Sequence, residues 1–334
     1  MSDKKIQYIS FLQIIGPLFV VLGHSLNGLE CSGIWYTFSK QWIYIFHMPL
    51  FFFISGYLLS FKDYLHGRSY KELVISKVKR LLFPYLFWNL LFYIPKVMVQ
   101  VYLSDKAPSS LENMLKAFVY PRQNIWGHTW FLMGLFVVYI ATPLFEKLLK
   151  NAKTYAKICI ITICILIYIL PITSEFLAFS DLHKDLLFFV MGCILGQVRK
   201  DIFTAHLKKY AFLYALLAAV FSVAAILTYE YSKFLHFIPC AFILLAFTAF
   251  GSIFGNLPDK LSQLASSSFS IYILHWPVMI VTRIILYQIF ELGTAITATA
   301  MTVLGYIVPL FVIWIIRKLP WQGIKRPLKY LLGV

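Results

Sequence analysis

The chain has 334 residues, of which 60% are hydrophobic, 18% aromatic and only 13% charged. A water-soluble domain cannot hide that much apolar surface, so the composition specifies an integral membrane protein. The net charge of +16 does not mark a nucleic-acid partner, because Lys and Arg sit in clusters between apolar runs, the pattern that holds loops on the cytoplasmic side of a bilayer.

The first apolar run follows "MSDKK" and covers about 6–26; with no cleavage-site pattern it reads as a retained helix. Nine further runs follow at about 42–60, 81–103, 127–145, 158–173, 185–198, 210–228, 234–254, 269–290 and 295–316. A helix crosses the hydrocarbon with roughly 20 residues, which most of these reach, the fifth and sixth being short. None alternates polar and apolar residues as a barrel strand would. There is no internal repeat and no separate soluble stretch. The expectation is an all-α integral membrane protein with one domain over 1–334, a bundle of about ten transmembrane helices.

An N-terminus in the cytoplasm puts most Lys and Arg inside, in 62–80, 147–157, 199–209 and the tail from Arg317. The opposing segment 174–185 carries Glu175, Asp181 and Asp185 against Lys184. Both termini are therefore predicted to be cytoplasmic. The cysteines, Cys31, Cys159, Cys164, Cys193 and Cys240, show no metal-ligand spacing, and neither a disulfide framework nor a metal is expected.

Polar residues inside such runs carry the information. His24 closes the first run, eleven residues after Gln13. That is close to three helical turns, so both project from one face, about 16 Å apart along the axis. Such a face turns to the bundle interior or to a wet cavity, with His24 in the outer half and Gln13 in the inner half. Ser25 does not face its neighbour His24 on a helix, and no G-x-S-x-G elbow occurs, so a serine nucleophile is not expected. Ser25 should bond back to its own helix. Arg283, deep in the ninth run, needs an anionic or carbonyl partner.

Five phrases occur in one order along the chain: "FLQIIGPLFVVLGHS" (11–25), "IFHMPLFFFISGYLLSF" (45–61), "SKVKRLLFPYLFW" (76–88), "TWFLMGLFVVYIATPL" (129–144) and "SSSFSIYILHWPV" (266–278). Together the chain resembles the membrane acyltransferase 3 family. The resemblance implies a ten-helix bundle that takes an acyl group, usually acetyl, from cytoplasmic acyl-CoA. The group would pass to a hydroxyl, most often of a surface saccharide or lipid-linked glycan, at a bacterial cytoplasmic membrane. The family's essential histidine falls on His24, its basic motif on Lys77 and Arg80 with Lys79 alongside, and its second-helix phrase on His47, Pro49, Ser55 and Gly56. One position departs: Gln13 stands where the family has an arginine, which removes a fixed charge and a planar fork. Lys5, Lys79 or Arg80 could substitute for it.

Acyl transfer from a thioester to an alcohol needs a base and oxyanion donors. An imidazole titrates near neutrality, and general-base help is worth about 10²–10⁴-fold, so His24 is read as the base. Asn27, Ser25 and tyrosine hydroxyls are the candidate donors, and no Asp or Glu lies mid-membrane to orient the ring. Lys77, Lys79 and Arg80 are read as binding the CoA phosphates, or else as topological charge alone. Asn27, His47 and His128 are candidate acceptor-binding residues at the level of His24. His275, toward the inner end of its run, is a candidate donor contact with Gln13. Membrane lipids are expected partners, nucleic acid is not, and the oligomeric state is open. Two other readings stand beside this one. A glycan or solute transporter or flippase would show matching broken helices in its two halves, which the sequence lacks. A catalytically reduced relative serving as a partner protein would fit Gln13.

Overall fold

The structure, a computed structural model, describes residues 6–27, 29, 33–61, 69–102, 110–150, 152–254, 264–320 and 322–333. Among the described residues every regular element is helical. The first two helices, α1 (Gln7–Asn27) and α2 (Ile34–Phe61), run unbroken through Pro17 and Pro49. The next run is broken. α3 (Tyr70–Lys77) opens on a capping box in which Ser69 Oγ accepts from the Glu72 amide and Glu72 Oε2 accepts from the Ser69 amide. A wide turn over Val78–Leu82 then leads into α4 (Phe83–Leu91) and α5 (Tyr93–Val99). The cause lies one residue further on: Pro84 has no N–H to return to the preceding turn, and the Phe83 amide instead reaches five residues back to Val78.

After α6 (Leu111–Val119), an irregular segment leads to α7 (Trp130–Ile140), which meets α8 (Thr142–Leu149) at a 51° bend beside Pro143. Then come α9 (Thr154–Ile169), α10 (Phe179–Gly196), α11 (Lys200–Lys209) and α12 (Ala211–Leu227), the last two bent by 64°. A single turn, α13 (Tyr229–Ser232), precedes α14 (Phe237–Ile253). α15 (Ser268–Arg283), α16 (Thr294–Lys318) and α17 (Gln322–Leu332) complete the order.

All ten apolar runs coincide with helices, but among the described residues six helices are long and apolar enough to cross a membrane, or up to eight if each bent pair is one span. The two that fall short have physical reasons. α9 is only 16 residues long. α10 carries Asp181, Lys184 and Asp185 in its first two turns, which corrects the expectation that these three lie in a loop. Leu216, Val220 and Val223 on α12, and Ile307, Phe311 and Trp314 on α16, point outward into what must be lipid, since water would not tolerate so large an apolar face.

α2 is the central helix, and α10 lies along it at unusually close range. A Cβ on Gly56 would stand 2.0 Å from the Phe189 carbonyl oxygen, and one on Gly192 would stand 2.2 Å from that of Phe53. Only glycine permits this approach, as at small-residue seams between membrane helices. Gly192 faces Phe53–Tyr57 and Gly196 faces Tyr57–Phe61, so the two helices run parallel in fixed register. At the other side of the bundle, α17 is tied to α4 and α15: Trp88 Nε1 donates to the Leu331 carbonyl at 3.1 Å and Ser270 Oγ to that of Leu332 at 2.6 Å.

Candidate functional site

A cavity of about 730 Å³ opens where α1, α2, α10, α15 and the segment before α7 converge. His24, His47 and His128 line it, with Asn27, Tyr44, Tyr272 and Trp276. His275 stands directly behind. The ring of His24 is 5.4 Å from that of His275, 6.1 Å from that of His128 and 6.5 Å from that of His47, centroid to centroid. Trp276 closes the group edge-on against His24 at 5.1 Å. Four histidines from four separate runs thus meet at one depth. The expectation that His275 lies toward the inner end, apart from the others, is corrected: α15 begins deep enough to bring it to the level of His24.

The rings differ in what they have left to offer. His47 Nδ1 lies 2.9 Å from the carbonyl of Ile43, and His275 Nδ1 lies 2.6 Å from that of Tyr272. A carbonyl accepts only, so Nδ1 carries the hydrogen in both rings and Nε2 keeps its lone pair. Among the described residues His275 Nε2 has no partner, nor has either ring nitrogen of buried His128. No hydrogen bond reaches the His24 ring among the described residues. Of the four it is the one not fully buried, and so the imidazole most open to exchange a proton with whatever enters the cavity. Ser25, its neighbour, is committed elsewhere: its hydroxyl bonds the Leu22 carbonyl and Thr302 Oγ1, both at 2.8 Å. The back-bonding foreseen for it is present, and it leaves the list of oxyanion donors. Asn27 stays exposed at the cavity.

The segment carrying His128 is non-helical yet buried, and side chains satisfy its backbone as burial requires. Asn89 Oδ1 accepts from the Trp126 amide at 3.0 Å, while its Nδ2 donates to the Tyr85 carbonyl and to Thr129 Oγ1. Asn124 donates to Tyr85 Oη, Lys96 Nζ donates to the Ile125 carbonyl at 2.8 Å, and Tyr272 Oη donates to the carbonyl of His128 itself. Sequence reasoning gave no role to Asn89, Lys96 or Tyr272, and nothing in their surroundings along the chain marks them.

The far wall of the cavity is charged. Arg122 grips Asp181 with both arms, Nε to Oδ2 at 2.9 Å and Nη2 to Oδ1 at 2.5 Å, and lies over the Trp130 ring at 4.6 Å. Burial works against the charge on Arg122, but the hydrogen bonds and charge of Asp181 outweigh it and raise its pKa above the ordinary arginine value. Lys184, Asp185 and Arg283 complete this wall. Arg283 has found its carbonyl, that of Tyr102 at 3.0 Å. Asp185 is 5% exposed, a buried carboxylate on the cavity wall, and no carboxylate hydrogen-bonds His24 among the described residues.

The remaining candidates lie outside the cavity lining. Gln13 is half-buried on α1, three turns from His24. Lys77 stacks its ammonium on the Tyr139 ring at 3.5 Å, while Lys79 and Arg80 are exposed on the wide turn. Lys5 lies outside the described residues. Among the described residues no three His, Cys, Asp or Glu side chains are disposed to hold a metal ion.

A helical bundle with outward apolar faces and an imidazole cluster lining a cavity is the frame of a multi-pass membrane protein with a site suited to proton transfer. Comparison with known proteins gives the particular family: residues 6–318 match the acyltransferase 3 family, described as an acyltransferase domain, and the chain belongs to it. The chain is similar to nodulation protein NolL of Sinorhizobium fredii, 28% identical over 194 residues, covering 57% of this chain and 49% of that protein. It is also similar to nodulation protein NolL of Mesorhizobium japonicum, 31% identical over 124 residues, covering 36% of this chain and 31% of that protein. The aligned part thus spans half or less of the length of these curated relatives. No solved structure matches.

Proposed function

We propose that this membrane acyltransferase moves an acyl group, in the first instance acetyl, from cytoplasmic acyl-CoA to a hydroxyl of a surface saccharide or lipid-linked glycan. The observation that carries the reading is His24, free of hydrogen bonds, among three imidazoles at a cavity large enough for a thioester and an alcohol. His24 takes the acceptor's hydroxyl proton as the oxygen attacks the thioester carbonyl. The tetrahedral intermediate collapses, the C–S bond breaks, and the leaving thiolate recovers that proton from His24. His128, a neutral ring with one N–H and no acceptor for it, stands ready beside the reacting carbonyl, as does Asn27. His47 offers a lone pair to the acceptor hydroxyl or its neighbours, and His275 packs behind His24.

The protein sits in this reading as ten spans in a bacterial cytoplasmic membrane, one domain with both termini inside. Parallel α2 and α10, the second and sixth runs, support that topology, since two even-numbered spans cross in the same direction. Lys79 and Arg80, with Lys77, meet the CoA phosphates at the inner mouth, and the pantetheine arm extends past Gln13 toward His24. The two bent helix pairs do not favour a transporter, because they fall in the fourth and seventh runs and not at matching places in two halves.

The test is thiol release from acetyl-CoA by protein purified in detergent, with and without alcohol acceptors. His24→Gln keeps hydrogen bonding but not basicity and should lose at least about 10²-fold in transfer while folding normally. Full activity in His24→Gln removes the base assignment, and absence of any thioester chemistry in the unmodified protein removes the reading.

A further inference from the structure

The acyltransfer reading leaves one buried group without a task. Asp185 is 5% exposed, lines the cavity, and receives no hydrogen bond among the described residues. A carboxylate so placed is costly unless something satisfies it. Its neighbour Asp181 is spoken for by Arg122 through two hydrogen bonds. Arg122 and Lys184 act on Asp185 through space and offset part of its charge, but neither hydrogen-bonds its oxygens, and Tyr168 and Phe188 supply bulk beside it.

The register of the glycine seam fixes its height. Asp185 lies two turns before Gly192 on α10, and Gly192 faces Phe53–Tyr57 on the parallel α2. Two turns back along α2 from there lie residues 46–50, the stretch that holds His47, Met48 and Pro49 on the same cavity. Asp185 therefore stands at the level of His47, whose ring is 6.5 Å from that of His24. It faces the volume that an acceptor must fill if its hydroxyl is to reach the base.

The charge count of the cavity decides which ligand chemistry suits it. Arg122, Lys184 and Arg283 line the wall against Asp181 and Asp185, so the cavity is not anionic and does not favour a cationic acceptor. What a free carboxylate then contributes is its capacity to accept hydrogen bonds from neutral donors, and hydroxyls presented in pairs match its two oxygens. We propose that Asp185 is the acceptor-recognition residue of this site, taking hydrogen bonds from hydroxyls adjacent to the one that is acylated and so selecting an uncharged, polyhydroxylated acceptor. The inference rests on the acyltransfer reading and adds to it the group that distinguishes acceptors.

The experiment uses the full chain in detergent with labelled acetyl-CoA and three probes. Methyl α-D-mannopyranoside carries neighbouring hydroxyls and no charge, 1-butanol a single hydroxyl, and ethanolamine a hydroxyl beside a cation. The unmodified protein should prefer the pyranoside in kcat/KM. Asp185→Asn keeps the shape and should lower the pyranoside-to-butanol ratio about tenfold, the difference between a charged and a neutral acceptor of hydrogen bonds. Asp185→Glu should restore part of that ratio, which damage to folding would not do. An unaltered ratio in Asp185→Asn, a preference for ethanolamine, or thioester hydrolysis without transfer to the pyranoside each overturns the inference and leaves the acyltransfer reading standing. Failure of that reading is a separate result: no thiol release from acetyl-CoA under any condition.

Discussion

Replacing Gly192 by alanine tests the seam that sets the cavity's shape. The added Cβ would stand 2.2 Å from the Phe53 carbonyl oxygen and 2.8 Å from the Tyr57 amide nitrogen. Carbon and oxygen rest at about 3.3 Å, so the two helices would have to part by about 1 Å at this point. Both obstructing atoms are backbone, so no side chain can rotate away. Overpacking costs about 1–3 kcal/mol, and a backbone obstacle puts this case at the upper end. Alanine returns about 1 kcal/mol through its better helix propensity. The net expectation is a loss of about 2 kcal/mol, or several degrees in melting temperature. Buried Cys164, Cys193 and Cys240 allow unfolding in detergent to be followed with a thiol-reactive dye. Gly293→Ala is the control, because nothing lies within 4 Å of the added methyl there. A Gly192→Ala protein that melts at or above the unmodified temperature would refute the reasoning, since propensity would then outweigh the seam.

Asn89→Ala removes three buried hydrogen bonds and strands the Trp126 amide, so it should cost about 2–3 kcal/mol in the same assay and lower transfer by loosening His128; an unchanged melting temperature would contradict this. Neutralising Lys77, Lys79 and Arg80 together should raise the KM for acyl-CoA severalfold and flatten its salt dependence while the acceptor KM stays constant; a change confined to the acceptor KM would count against phosphate binding. Gln13→Arg restores the family's charge; if another cation already serves, donor binding or stability falls by like-charge repulsion, whereas tighter donor binding with faster turnover would show that nothing had taken its place.

The helices were legible because hydrophobicity in a membrane protein is a positional signal: each apolar run had to become a helix, and each did. Boundaries failed where charge interrupted apolarity. Asp181, Lys184 and Asp185 read as loop residues, since a hydropathy rule has no means of knowing that Arg122, far off in sequence, would neutralise one of them. His24 was legible from its place on a greasy helix, and His47 and His128 from expected depth. His275 was not placed correctly, because the depth at which a helix begins depends on its neighbours. The seam glycines looked like ordinary residues of apolar runs; only the approach of two backbones gives them meaning. The hydrogen-bonded support of the His128 segment was invisible, for most of its bonds join a side chain to a main-chain group, which no side-chain pattern encodes.

The support of that segment also sets an order of biogenesis. Asn89, Lys96, Tyr85 and Asn124 make their contacts within a short stretch of chain, so the segment can settle soon after those residues leave the ribosome. Its last fastening, from Tyr272 to the carbonyl of His128, and the ring of His275 both arrive on α15. A nascent chain halted before α15 holds His24, His47 and His128 without His275 and Trp276, the rings that pack against His24. Most of the protein is thus inserted before the proposed site is finished, and a fragment that stops short of α15 lacks one wall of it.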